Sequence, residues 1–195
     1  MSAELIQEAA KNLSIQAVYL RESKFTQIED FDPTVLAEFE LSAQYRSGAL
    51  AKHLVTVQNA DGSEQLLMNV RFTCGLRLID ATRMVDEKPE TGIVAEIGAV
   101  FVAQYLVKEG SNPRPEALDA FSKMNAGYHV WPYWREYAQS VCTRAGLPVV
   151  VIPMFTLPKE NQLAQPKEMP LKETKKTPAA KTSTKRSAKS KTPQK

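Results

Sequence analysis

Residues 131–136 read Trp-Pro-Tyr-Trp-Arg-Glu, and this stretch predicts the start of a long helix. Proline has a fixed φ and no backbone donor, so it fits the first turn of a helix better than its interior. Apolar residues then recur at three- and four-residue steps until Gly146, which predicts the helix end. On spacing alone this is an ordinary amphipathic core helix. Its apolar stripe consists of Trp134, Tyr137, Ala138, Val141, Cys142 and Ala145.

Alternation of apolar and polar residues predicts several strands upstream of this helix. The predicted strand segments are 13–25, 35–46, 53–58, 64–78 and 93–107. Asp61-Gly62 lies between two of them, and this pair supplies the positive φ that a tight hairpin turn requires. The last segment is apolar on nearly both faces, which predicts a strand buried on both sides or one that offers a face to a partner.

The order of the predicted elements indicates the fold class. A short amphipathic helix is predicted at 4–12, followed by the strands. The prolines at 113 and 115 then predict a helix that runs to about residue 128, before the helix at 132–145. A run of strands followed by a run of helices predicts an α+β fold with the helices on one face of an antiparallel sheet.

The charge of the chain divides it into two parts. Residues 159–195 contain eleven Lys or Arg and three acids, a net charge of +8, whereas the remaining 14 basic and 19 acidic residues give −5. With almost no apolar residues beyond 171, the tail cannot offset the entropy cost of ordering. We therefore predict a domain at 1–157 and a disordered lysine-rich tail at 158–195. The acidic domain is a poor match for nucleic acid, and the tail alone could bind it.

The two cysteines and the N-terminus predict a cytoplasmic protein. Cys74 and Cys142 are too few for a disulfide framework and fall in predicted elements, as buried thiols do in a reducing compartment. Acidic residues stand where a signal peptide would be basic. No apolar run is long enough to predict a transmembrane segment.

The sequence gives little sign of catalysis. His53 and His129 have no Cys, His or carboxylate at metal-ligand spacing, so structural roles are the better interpretation of both. No glycine-rich phosphate loop follows a predicted strand, and no serine stands in a nucleophile-elbow sequence. We therefore predict a protein that is not an enzyme and that uses no metal and no cofactor.

A binding protein for unfolded chains needs apolar surface that tolerates many sequences. The chain has aromatic residues, methionines and a doubly apolar strand that could supply it. The alternative for each of these residues is a place in the core. The candidate residues for binding such clients are Phe25, Phe31, Phe39, Tyr45, Met68, Val100, Val102, Leu106, Met124 and Trp131.

Two separated motifs resemble the SecB family of export chaperones. The pattern aromatic-Pro-Tyr-x-Arg-Glu at 131–136, followed by Arg144 and Pro148, is similar to the long helix of that family, with Trp131 where Phe is usual. Residues 15–25, Ile-Gln-Ala-Val-Tyr-Leu-Arg-Glu-Ser-Lys-Phe, are similar to its first strand. The resemblance covers about 12–155 and is loose in the middle.

The resemblance implies a fold, an assembly and a partner. SecB-like proteins have a four-stranded antiparallel sheet with helices on one side, form a dimer of dimers, and hold unfolded preproteins without ATP before passing them to the SecA motor. It implies that Trp134, Tyr137 and Val141 lie at an oligomer interface. It also implies that Glu22 and Glu96 contact SecA, although Thr26 replaces a third acidic position of that contact.

Two functions follow from this resemblance. The main hypothesis is an ATP-independent holdase, a homotetramer that binds unfolded polypeptides or preproteins and supports export through the Sec pathway. The alternative is a dedicated chaperone that stabilises one antitoxin of a toxin–antitoxin system, as some SecB-like proteins do. A further option is that the basic tail binds nucleic acid or an anionic surface. The alternative is that the tail only keeps the protein soluble.

Overall fold

The computed structural model describes residues 3–156 and the backbone of 167–170. The helices are α1 (Ala3–Asn12), α2 (Pro115–Met124) and α3 (Ala126–Arg144). The strands are β1 (Leu13–Gln27), β2 (Leu41–Gln58), β3 (Glu64–Asp80), β4 (Ile93–Val107) and β5 (Lys167–Pro170). All pairings are antiparallel, and the strand order is β1-β4-β3-β2-β5.

The predicted α+β fold is confirmed: four long antiparallel strands carry helices on one face. The short fifth strand was not predicted. It falls within residues 158–195, for which we predicted disorder, and the rest of that range lies outside the described residues. Within the described residues, no helix is both long and apolar enough to cross a membrane.

The core lies between the sheet and the helix pair α2–α3. Tyr105 of β4 meets Phe121 of α2 edge-on with ring centroids 5.2 Å apart, and Phe101 meets Tyr137 of α3 at 6.4 Å. Trp134 is fully buried. Each large apolar side chain buried in this way stabilises the fold by about 1.5–3 kcal/mol. We call this the inner face of the sheet and the opposite side the outer face.

The strand predicted at 35–46 is wrong for residues 35–40 and correct from Leu41 onward. Residues Pro33–Glu38 form a 3₁₀ helix, because Asp32 caps it by accepting a hydrogen bond from the Thr34 amide (2.8 Å) and Pro33 fixes its first turn. The strand begins only at Leu41. It then continues to Gln58 through one bulge between Ala49 and Ala51, so the predicted segment 53–58 is its last third.

The hairpin predicted between β2 and β3 is confirmed. Gly62 has φ +84°, and the Asn59 amide donates to the Ser63 carbonyl at 2.8 Å. The turn extends the two strands past the end of β4, since Leu67 already lies opposite Leu106. The tip of the hairpin therefore projects beyond the helix-covered part of the sheet.

Pro132 does not open a helix, as the sequence predicts, but lies at the seventh position of α3. The preceding turn stays helical because Ala126, Val130 and Trp131 are buried there. Without an amide hydrogen, Pro132 cannot donate to the carbonyl four residues earlier. Burial of the apolar face thus outweighs the local preference of proline. The predicted end is correct, since Gly146 follows the helix with φ +68°.

We expect Pro132→Ala to raise the free energy of unfolding by about 1–3 kcal/mol, because it restores one backbone hydrogen bond and removes the ring clash. Urea denaturation followed by circular dichroism measures the change. Glu136→Ala, at another exposed position of the same helix, is the matched control and should change stability by less than about 0.5 kcal/mol. Equal effects of the two substitutions would contradict the interpretation.

Candidate functional site

Both edges of the sheet are long strands, and an edge strand exposes backbone donors and acceptors that can pair with another chain. β1 forms one edge. Its large apolar residues Ile15, Tyr19, Leu20 and Phe25 remain 40–44% exposed. β2 forms the other edge, where β5 pairs with only Ser42, Ala43, Gln44 and Tyr45. Most of β2, from Arg46 onward, has no strand on that side within the described part of the chain.

Residues 147–156, which we call the C-terminal segment, lie on the inner face of the sheet, where the Phe155 ring packs on Phe72 of β3 with centroids 6.3 Å apart. Leu147, Val150 and Ile152 point into the core. The segment is fixed by two side chains: the Trp131 indole donates to the Pro153 carbonyl at 2.8 Å, and the Tyr45 hydroxyl donates to the Val151 carbonyl at 3.4 Å. Burial in this contact raises the pKa of Tyr45 to about 12, so the phenol stays protonated as a donor.

The other side of the C-terminal segment is an apolar ridge. Val149, Val151 and Met154 are 62–77% exposed, the largest exposures among the large apolar side chains of the described residues. Tyr128 continues the ridge, since its ring lies 4.8 Å from that of Phe155. The ridge also borders α3, since the Arg135 guanidinium donates to Met154 Sδ at 3.6 Å and Val149 lines a groove with Pro132. The unpaired backbone of β2 and this apolar ridge are two surfaces that suit an extended guest.

The candidate residues from the sequence do not form one surface. Phe25 is exposed at the β1 edge, and Tyr45 is at the β2 edge. Phe31 and Phe39 are partly buried and pack on each other at 5.5 Å. The remaining candidates divide between the partly buried Val100, Leu106 and Met124 and the buried Met68, Val102 and Trp131.

The buried candidates correct the sequence analysis, because Met68, Val102 and Trp131 are at most 8% exposed in the single chain. Apolar side chains of this size gain more from the core than from a free surface, so composition alone overestimates the binding set. The ridge was not among the residues predicted from the sequence. Its signal was present, since Val149 and Val151 alternate with the buried Val150 and Ile152 directly after a helix-ending glycine and proline.

The predicted interface residues on α3 also separate. Trp134 has no exposed surface and belongs to the core, whereas Tyr137 and Val141 are only partly buried. The solvent side of α3 is instead polar. With Val149 it lines an open groove whose other residues are Pro132, Arg135, Glu136, Gln139, Ser140 and Thr143.

The two glutamates implied in SecA contact lie on the outer face, but neither offers a free negative charge. Glu22 accepts a hydrogen bond from Arg71 at 2.8 Å. Glu96 accepts one from Arg46 at 3.3 Å, and Arg77 Nε lies 3.3 Å from the same oxygen without hydrogen-bond alignment. Because Arg21 Nε also lies 3.5 Å from Glu22, four guanidinium groups surround these two carboxylates.

The Arg46 side chain reaches Glu96 across a row of small residues. Gly75 and Gly98 are opposite each other in β3 and β4, and an added Cβ at Gly75 would lie 2.7 Å from Arg46 Cγ. The arginine can lie flat on the sheet only because this glycine has no side chain. The sequence contains no short-range signal for this long-range pairing.

The two thiols and His129 lie in buried or partly buried surroundings that disfavour their charged forms. The two thiols are buried, as predicted, and burial raises the pKa of both Cys74 and Cys142, which keeps them protonated. The His129 Nδ1 lies 3.0 Å from the Tyr105 hydroxyl, and burial lowers its pKa. Across the described residues, no three His, Cys, Asp or Glu side chains gather in a way that could hold a metal ion.

The chain is similar, in part of its sequence and in its fold, to a SecB-like chaperone. A segment of 97 residues, 46% of this chain and 54% of the relative, is 31% identical to the SecB-like chaperone Rv1957 of Mycobacterium tuberculosis. The matched segment thus spans about half the length of that relative. No protein-family model matches the chain.

The structure of that chaperone in complex with a ChAD peptide from the Rv1956 HigA1 antitoxin has a similar fold, with a TM-score of 0.56 and 18% identity. The overlay covers 80% of this chain and 99% of the other. The two findings confirm the resemblance to SecB-like proteins that the sequence indicates, and the overlay confirms the fold.

We expect Glu96→Gln to lower the free energy of unfolding by about 1 kcal/mol, because Arg46 and Arg77 would lose the carboxylate that separates their charges. Glu22→Gln is the matched control: its side chain is 57% exposed against 20% for Glu96, so its loss should cost less than about 0.5 kcal/mol. Urea denaturation at low and high salt measures both. Equal losses would contradict the pairing described here.

Proposed function

Because the chain is SecB-like in its fold and over part of its sequence, we propose that it is an ATP-independent chaperone that binds unfolded polypeptide segments. Two observations carry this proposal: the backbone of β2, unpaired on one side from Arg46 onward within the described residues, and the exposed ridge of Val149, Val151 and Met154, to which the Tyr45 side chain of β2 is joined through Val151. Such a surface binds through backbone hydrogen bonds, which every sequence offers, and through apolar contact, which tolerates many side chains. This chemistry requires neither a nucleotide nor a covalent step.

For the client, we favour an antitoxin over proteins bound for export. The relative was captured with an antitoxin peptide. Support for this choice also comes from the outer face, where Glu22 and Glu96 are already ion-paired within the chain. A basic partner such as the one implied for SecA would first have to break those pairs. Export through the Sec pathway, with the same holdase chemistry, is the second candidate.

We further propose that the active form is an oligomer, a dimer of dimers as the resemblance implies. The exposed apolar residues along β1 support a contact between copies at that edge, since an isolated edge of this length risks uncontrolled pairing. The polar groove on α3 supports a second, more hydrated contact. Light scattering of the purified chain gives the mass directly.

The double substitution Val151→Ser with Met154→Ser should weaken binding of reduced, carboxymethylated α-lactalbumin about tenfold, because two exposed apolar anchors are lost. Fluorescence anisotropy of the labelled client measures the affinity. Val85→Ser is the matched control, since Val85 is 59% exposed but lies in the connection between β3 and β4. Equal weakening by both variants would remove the ridge from the binding surface.

The choice between the two clients predicts a difference in selectivity. A dedicated chaperone should bind a peptide from one antitoxin at least about tenfold more tightly than unrelated unfolded chains, and a general holdase should bind them alike. A peptide array of antitoxin and preprotein segments, followed by titration of the best binders, measures this. Uniform binding across the array would favour the export candidate.

A further inference from the structure

The tail of the chain returns to the sheet as β5. Its four residues pair antiparallel with β2 in a continuous register, from Tyr45 opposite Lys167 to Ser42 opposite Pro170. Tyr45, at one end of this pairing, is also the residue whose hydroxyl donates to Val151 of the exposed ridge at 3.4 Å. A segment of the protein itself therefore pairs where an extended guest would begin to pair.

The backbone of β2 shows which of its groups face β5. The Glu40 amide donates to Asp80 at 3.1 Å and its carbonyl accepts from Ala81 at 3.1 Å, so Glu40 points toward β3. Backbone groups alternate in direction along a strand, and Ser42 and Gln44 therefore also point toward β3. Ala43 and Tyr45 point the other way, toward β5.

The sequence of β5 fits this alternation. Pro170, which has no amide hydrogen, lies opposite Ser42, whose backbone groups are turned toward β3. The proline therefore costs no ladder hydrogen bond, as is usual for proline on an edge strand. Met169 lies opposite Ala43, and Lys167 lies opposite Tyr45. The backbone donors and acceptors of Met169 and Lys167 are therefore the ones that face β2. The same proline ends the pairing, which leaves a short contact that can be displaced.

We propose that the β2 edge is a strand-pairing site for an extended client segment and that Lys167–Pro170 is its intramolecular competitor. The proposal rests on the proposed chaperone function and names the site and its regulation. Because the competitor belongs to the same chain, its local concentration is high even though it pairs over only four residues. If it occupies the edge for about two-thirds of the time, the apparent client affinity falls about threefold.

Two proline substitutions in the full-length chain test the pairing. Met169→Pro removes an amide that faces Ala43, whereas Glu168→Pro removes one that points away from β2 and serves as the matched control. We expect faster hydrogen exchange at the amides of Ala43 and Tyr45 with Met169→Pro alone. Ser42 and Gln44, which face β3, should not change in either variant. Unchanged exchange at Ala43 and Tyr45 would overturn the proposal.

Two deletions test the competition with reduced, carboxymethylated α-lactalbumin as the client. Removing 157–195 deletes β5, whereas removing 172–195 keeps β5 and deletes nine of the eleven basic residues of the tail. We expect about threefold tighter binding for the first deletion and for Met169→Pro, and no change for the second. Tighter binding by both deletions would show that residues 172–195, which do not include β5, cause the effect, and would overturn the competition.

The remaining outcomes are also decisive. Faster exchange at Ala43 and Tyr45 without a change in client affinity would mean that the client binds elsewhere, which overturns the shared site. If no form of the chain binds the client, the proposed chaperone function fails and the competition fails with it. In that case the exchange data alone still decide whether the tail pairs with β2, so the two failures are distinguishable.

Discussion

The packing of α2 and α3 onto one face of the sheet determines what the other surfaces of the molecule can do. The contacts of Phe101 with Tyr137 and of Tyr105 with Phe121 cover the inner face and bury the large side chains of β3 and β4. On the outer face, Val100, Gln104 and Leu106 of β4 are only partly buried, whereas Val102 between them is buried. Binding surface is therefore left at the outer face and at the strand edges, and the three places differ in chemistry.

The sequence predicts the elements where a local pattern and the tertiary environment agree. The alternation in β3, the Asp61-Gly62 turn and the stop at Gly146 are all confirmed because each depends on a few neighbouring residues. Pro132 is the opposite case. Its local preference is to begin a helix, but the buried side chains of Val130 and Trp131 hold the preceding turn in the helical form.

The site was harder to predict than the fold, for a physical reason. A list of apolar residues does not distinguish those that fill the core from those that remain outside. Met68 is buried in the core, whereas Val151 is 77% exposed. The ion pairs on the outer face depend on register as well. Arg46 and Glu96 are 50 residues apart in sequence, and the pair exists because Gly75 leaves room between them.

The two edges of the sheet limit unwanted strand pairing in different ways. An edge that accepts guest strands must not pair with every exposed strand it meets, including those of other copies. β1 has two bulges, between Ile15 and Ala17 and between Leu20 and Glu22, which interrupt the regular ladder that a partner strand would need. β2 has one bulge, and its first residues pair with the chain's own β5.

A bulge acts permanently, whereas a tethered strand can leave when a better partner arrives. This difference fits the two roles that we propose for the edges. The β1 edge, with its fixed irregularities, suits a contact of one defined geometry, such as that between copies of the chain. The β2 edge, which only a short and displaceable segment covers, suits partners that vary in sequence. Reversible coverage of this kind requires a contact weak enough to open, and β5, which ends at a proline, provides one.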